Sequence, residues 1–229
     1  DAAIFCPSGT MTNQIAIRTH CKAGDEVLCD RNAHVYNFEG GGIAVNAQAS
    51  VRIIEGDKGR ISPAQVNSNI NPDDIHYPIS RLLCVENTIN RAGGVYYKLD
   101  ALKALSKCAK DNHLSYHMDG ARFFNALIET EGDAKDYGPL FDSISICLSK
   151  GLGCPVGSLL IGDKAFIKQA RRVRKLMGGG MRQAGFLAAA GSYALKNNIK
   201  RLKEDHIKAK QIEAMLKAQS YISNIEEVF

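Results

Sequence analysis

With 229 residues, 45% of them hydrophobic, the chain has enough apolar content to bury a substantial core, which excludes the disordered class. Its 29 basic and 24 acidic residues leave a net charge of only +5, which argues against a nucleic-acid or membrane partner and stays compatible with an anionic small molecule. Seven dispersed cysteines with no C-x-x-C pair exclude a disulfide framework and a zinc cage, and fit reduced thiols in a cytoplasmic protein. No membrane-spanning run or signal peptide is expected.

In chain order, a strand is expected at residues 3–6, a helix at 12–21 and a strand at 26–29, followed by a glycine-rich turn and a strand at 51–55. Strands at 82–86, 114–118, 143–148 and 157–161 alternate with helices at 99–111 and 165–176. The 143–148 run alternates Ser and Ile and predicts a half-buried strand. This order predicts an α/β fold, a mainly parallel sheet covered by helices. From about Phe186 the pattern is helical, with a long charged stretch from 199 to 218. We expect a large domain over 1–195, and over 196–229 a connecting helix and the start of a smaller C-terminal domain. The first residues read as a strand already under way and S-N-I-E-E-V-F at the end as another strand beginning, as expected of a piece of a longer protein.

In an open α/β sheet, ligands gather at the carboxyl ends of the strands. Ser8-Gly9-Thr10 follow the first strand and open a helix, where free N–H groups and two hydroxyls make either a phosphate cup or a simple N-cap. Asp119 ends the strand near 118, Arg122 follows three residues later, and Lys150 ends the next strand, one crossover unit further on. An acid, an amine and a phosphate cup on one edge suggest pyridoxal phosphate. The lysine would form the Schiff base and the carboxylate would keep the pyridine nitrogen protonated.

The segments C-P-S-G-T-M-T-N, N-A-H-V-Y-N-F-E-G-G-G, N-P-D-D-I-H, E-N-T, H-M-D-G-A-R, C-L-S-K-G-L-G-C-P-V-G-S and G-G-G-M-R-Q-A-G occur in that order. Together they resemble the threonine aldolases, in the β-eliminating-lyase branch of the aspartate-aminotransferase-like fold. The resemblance implies a fold type I large domain and pyridoxal 5′-phosphate as cofactor. It also implies retro-aldol cleavage of L-threonine or L-allo-threonine to glycine and acetaldehyde. By the same resemblance Lys150 is the Schiff-base lysine, Asp119 the partner of the ring nitrogen, and Ser8, Gly9 and Thr10 the phosphate cup. Arg122 then lies near the phenolic oxygen and the substrate carboxylate. His34 stacks on the ring, and His76 lies near the substrate hydroxyl, so either is a candidate to orient or deprotonate it. Arg182 belongs to a loop that reaches the cofactor phosphate across a subunit boundary, implying a homo-oligomer, dimer or tetramer, with shared sites. Ile89 stands where the family often has histidine. The same cofactor apparatus also serves β-elimination and transamination, and a scaffold that kept the fold without catalysis is the alternative outside enzymes.

Three weaker signals have plainer readings. The basic stretch 164–175 is expected to be a solvated helix face rather than a nucleic-acid surface, since its single aromatic, Phe166, makes no interleaved pattern and no known binding motif accompanies its charges. His113 and His117 are expected on one face of a strand as structural histidines, with no metal. Gly151-Leu152-Gly153 lacks the third glycine of a dinucleotide loop.

Overall fold

Alternating apolar strands and helices of the kind read from the sequence wind here into one sheet, in a computed structural model that describes residues 1–222. The strand-like C-terminal segment expected beyond them lies outside the described residues. In chain order the elements are β1 (Ala2–Cys6), α1 (Gly9–His20), β2 (Asp25–Asp30), α2 (His34–Asn37), β3 (Ser50–Ile54), α3 (Pro63–Asn69), β4 (Ile79–Glu86) and α4 (Leu99–Asp111). There follow β5 (Ser115–Asp119), α5 (Phe123–Thr130), α6 (Ala134–Tyr137), β6 (Ser143–Cys147), β7 (Ser158–Gly162), α7 (Lys164–Leu176), α8 (Gly185–Asn197) and α9 (Leu202–Lys217).

The strands form a seven-stranded sheet in the order β1-β7-β6-β5-β4-β2-β3. Strands β2 to β6 run parallel, while β7 is antiparallel to both β6 and β1. Period-2 alternation sends neighbouring side chains to opposite layers. Leu83 and Val85 of β4 enter a core with Leu102, Leu105, Tyr116, Met118 and Phe123, whereas Leu82 and Cys84 face Ile17, Val27 and Cys29. Burying a side chain such as Leu83 contributes on the order of 2 kcal/mol.

Strand β6 corrects the half-buried expectation: all five of its residues are buried. Its isoleucines join the core on one face, and its serines lie beneath α1 on the other, where Ser145 Oγ bonds Thr12 Oγ1 at 2.6 Å. The basic stretch is α7, whose Ile167 and Ala170 are buried while Lys168, Arg171, Arg172 and Lys175 are exposed, a solvated face as expected. His113 is not on a strand. It sits in the turn after α4 with φ of 56°, so it cannot share a strand face with His117.

Position 196, where the domain boundary is expected, falls inside α8. Ala194 of α8 and Leu202 of α9 pack in one cluster with Leu148, Leu152 and Cys154, under the loop that carries Lys150.

Candidate active site

Because β4, β5 and β6 run parallel and in register, their carboxyl ends coincide. Glu86 pairs with Asp119, and Asp119 with Ser145. Beyond β6 the chain turns sharply. Gly153, at φ of +75°, donates its N–H to the Lys150 carbonyl at 2.8 Å, and that left-handed conformation is one a side chain would strain. The turn leaves the Lys150 side chain exposed at the rim of a cavity of about 190 Å³ lined by Ser8, Gly9, Thr10, Asn13, His34, Asp119, Cys147 and Lys150.

One end of that cavity is the amino terminus of α1, a 12-residue helix. Ser8 caps it, its hydroxyl accepting the Met11 N–H at 3.2 Å, which is the N-cap reading of this tripeptide. A Cβ at Gly9 would lie 2.6 Å from Cys147 Sγ, so only glycine lets the helix start settle this closely on β6.

Asp119 forms the floor and is only 3% exposed. Its Oδ2 accepts from Asn13 Nδ2 at 2.9 Å and its Oδ1 from the Ala121 N–H at 3.1 Å. Burial, then the charge of Glu39, pushes its pKa above the ordinary carboxylate value. His34, Lys150 and the Asn13 hydrogen bond act the other way. Here is a carboxyl group that a cation would relieve.

Glu39, fully buried, gathers three side chains: Asn13 Nδ2 at 2.9 Å and His34 Nδ1 at 3.1 Å on Oε1, and Gln14 Nε2 at 2.6 Å on Oε2. Chiefly through its hydrogen bond to Glu39, His34 has a raised pKa. A raised folded-state pKa means that the charged imidazole's contribution to stability is fully present below the unfolded value near 6.5 and is lost as pH rises through the folded value above it. We expect Glu39→Gln to lower the His34 midpoint, read from the ring C–H shifts by NMR titration. An unchanged midpoint would mean that Glu39 does not set it.

Glu86 clamps two loops, accepting the His34 N–H at 3.0 Å and the Asn90 N–H at 2.9 Å. Burial first, and the charge of Asp119 second, push its pKa up to about 7.

Residues 1–227 match the beta-eliminating lyase family. The chain belongs to that family. It is 46% identical over 207 residues to the low specificity L-threonine aldolase of Escherichia coli K12, covering 90% of this chain and 61% of that protein. Against the protein of the same name from Saccharomyces cerevisiae it is 41% identical, covering 87% and 52%. The chain thus spans little more than half the length of these curated relatives. In three dimensions it superposes on the Leishmania major threonine aldolase with a TM-score of 0.83 at 26% identity, covering 95% of this chain and 63% of that one. The fold matches that of a putative L-allo-threonine aldolase from Listeria monocytogenes at a TM-score of 0.84, 23% identity, and 95% and 59% coverage.

In this beta-eliminating lyase family member the structure brings Ser8, Gly9, Thr10, His34, Asp119 and Lys150 together around one cavity. Arg122 lines an adjoining cavity of about 200 Å³ with Thr88, Asn90 and Asn125. His76 and Arg182 are elsewhere. His76 is exposed on the loop before β4, with its Nδ1 2.7 Å from Asp74, and Arg182 is exposed in the loop before α8. Ile89 is buried in the core, 1% exposed.

Sequence reasoning missed Asn13, Glu39 and Glu86. Glu39 and Glu86 stood in motifs singled out for other residues, N-A-H-V-Y-N-F-E and E-N-T, and Glu86 ends a strand. Asn13 likewise closes the motif C-P-S-G-T-M-T-N, which was singled out for Ser8, Gly9 and Thr10.

Proposed function

We propose that the complete protein is an aldolase that uses pyridoxal 5′-phosphate to cleave L-threonine or L-allo-threonine into glycine and acetaldehyde. The observation that carries this reading is the cavity itself, with a lysine at the rim, a buried carboxylate at the floor and a glycine-started helix at one end. The family membership and the threonine aldolase names of its relatives support it.

The donor set fits the cofactor. Asp119, whose pKa burial raises, would be relieved by a protonated ring nitrogen, and the α1 N–H groups with Ser8, Gly9 and Thr10 suit a phosphate dianion. Lys150 supplies the amine that attaches the cofactor covalently. When bound, the cofactor supplies the electron sink for breaking the substrate's Cα–Cβ bond.

The protein's own groups do the rest. His34, held on Glu39 through Nδ1, can stack on the ring and take or orient the hydroxyl proton through its other nitrogen, directly or through water. We assign His76 to the same hydroxyl as a second candidate and Arg122 to the substrate carboxylate. The test is product analysis on the complete protein, where glycine and acetaldehyde are expected in equal amounts. Ammonia with a 2-keto acid would instead assign β-elimination.

We further propose a homo-oligomer, dimer or tetramer, with sites shared between subunits, where Arg182 reaches the phosphate of the neighbouring site. Its exposure, next to three glycines that are costly to order alone, supports this. Mixing inactive Lys150→Ala and Arg182→Ala proteins under subunit exchange is expected to restore part of the activity, since one site of each mixed dimer carries both native residues. No recovery despite exchange would rule sharing out. A cytoplasmic location agrees with seven free, buried cysteines. Among the described residues no helix is long and apolar enough to cross a membrane.

A further inference from the structure

A cavity of about 660 Å³ lies at the amino ends of β5 and β6, lined by His20, Ser143, Asp142, Asp163 and Phe166 among others. Between it and Asp119 runs an unbroken chain of buried or half-buried polar groups. His20 Nε2 is 2.8 Å from Ser143 Oγ, Ser143 Oγ is 2.8 Å from His117 Nδ1, and His117 Nε2 is 3.1 Å from Asn13 Oδ1. Asn13 Nδ2 then bonds both Glu39 Oε1 and Asp119 Oδ2 at 2.9 Å.

Donor and acceptor counting gives this chain one direction. Two carboxylate oxygens at 2.9 Å demand both hydrogens of the Asn13 amide nitrogen, so its Oδ1 faces His117 and must accept. His117 therefore carries its proton on Nε2, which leaves Nδ1 to accept the Ser143 hydroxyl proton. Ser143 Oγ, having given its only hydrogen, accepts from His20 Nε2. Burial lowers the pKa of both histidines, His117 to about 3 and His20 to about 4, so each is the neutral ring that this pattern requires. Every bond points its positive end toward the two buried carboxyl groups.

We propose that His117, acting through Asn13, is a positioning residue for Asp119. By fixing the Asn13 amide with its nitrogen toward the carboxyl groups, it supplies the hydrogen bond that opposes the burial of the Asp119 charge. Without His117 the Asn13 Oδ1 loses its donor, so the amide is held by the two carboxyl groups alone and its hydrogen bond to Asp119 is less well oriented and less polarised. Asp119 is also faced by His34 and Glu39 from the segment after β2, Glu86 from β4 and Lys150 beyond β6, so the relay acts among these charges. The proposal rests on the reading of Asp119 as the cofactor-facing carboxylate, but its test needs no cofactor.

The first arm is ¹⁵N NMR of the histidines in the complete, cofactor-free protein. His117 is expected as the neutral Nε2–H tautomer at pH 7, and an Nδ1–H tautomer or a charged ring overturns the relay. The second arm follows the Asp119 carboxyl ¹³C shift with pH. His117→Leu is expected to raise its midpoint by roughly one pH unit, a tenfold change in ionisation. His117→Gln, whose amide can donate to Asn13 and accept from Ser143, is expected to leave it near wild type. A merely structural role would lower the melting temperature of both variants without separating their Asp119 midpoints, and that result also overturns the proposal. If His117→Leu does not fold, the tautomer measurement on the native protein decides. Lack of cofactor attachment at Lys150 would refute the aldolase reading and leave the relay standing.

Discussion

The Lys150→Ala protein is expected to lose covalent cofactor attachment completely and turnover by a factor on the order of 10⁴ to 10⁶, while keeping its fold. The fold is spared because the Lys150 side chain is exposed, so its removal should shift the melting temperature by no more than about 2 °C. The chemistry is not spared, because among the described residues Lys150 is the one lysine that lines the cavity. A nucleophile removed from a set that acts as a unit costs nearly the whole catalytic effect. Borohydride reduction of wild type followed by peptide mapping should mark Lys150. Label on another lysine, or turnover within tenfold of wild type in the variant, would sink the assignment.

Asp119→Asn is expected to keep the cofactor bound and to lower turnover by a factor on the order of 10² to 10³. The substitution preserves shape, and the Ala121 N–H can still be accepted by the amide oxygen. What goes is the charge, and with it the oxygen that accepts from Asn13 Nδ2. The carboxyl group is 3% exposed and its pKa already lies above the ordinary value through burial, so on the proposed reading a cationic ring nitrogen would join His34 and Lys150 in holding it ionised. With a neutral amide the ring nitrogen has no anion to keep its proton, and the electron sink weakens. The measurement is kcat beside cofactor content, each determined on the same preparation. Near-normal turnover at full occupancy would show that the sink is assembled some other way, and loss of cofactor with unchanged kcat per occupied site would make Asp119 a binding group only.

What the sequence determined by itself was whatever short-range pattern encodes. Alternation between strand-like and helix-like runs determined the α/β class, and the helix over 99–111 coincides with α4 because its apolar positions repeat at helical spacing toward Leu102, Leu105 and Ala109. Lys150 and Asp119 were legible because both fall at strand ends, where the chain must turn and the ligand edge of such a sheet lies. Helix α3 was legible too and was missed, although Ser62-Pro63 with Gln65 spells a capping box and a proline start, and the structure has both. Helix α5 was not expected from the sequence, because its short apolar run F-F-N-A-L-I follows D-G-A-R directly with no side-chain cap to mark a start.

Only the tertiary structure decided how the floor of the site is wired. Asn13 lies 106 positions from Asp119 and 104 from His117, yet bonds both. The alternation S-I-S-I reads equally as a solvated face, and only the placement of α1 over β6 turned those serines into buried partners of Thr12 and His117. In the same way, tertiary placement set His34 on Glu39 at the cavity while leaving His76 exposed beside Asp74, although both histidines stand in motifs of equal clarity. The physical reason is one of range. Periodicity reports which face of an element turns inward, because that depends on residues two to four apart, whereas hydrogen-bond partners across a core are chosen by the packing of whole elements, which no local window contains.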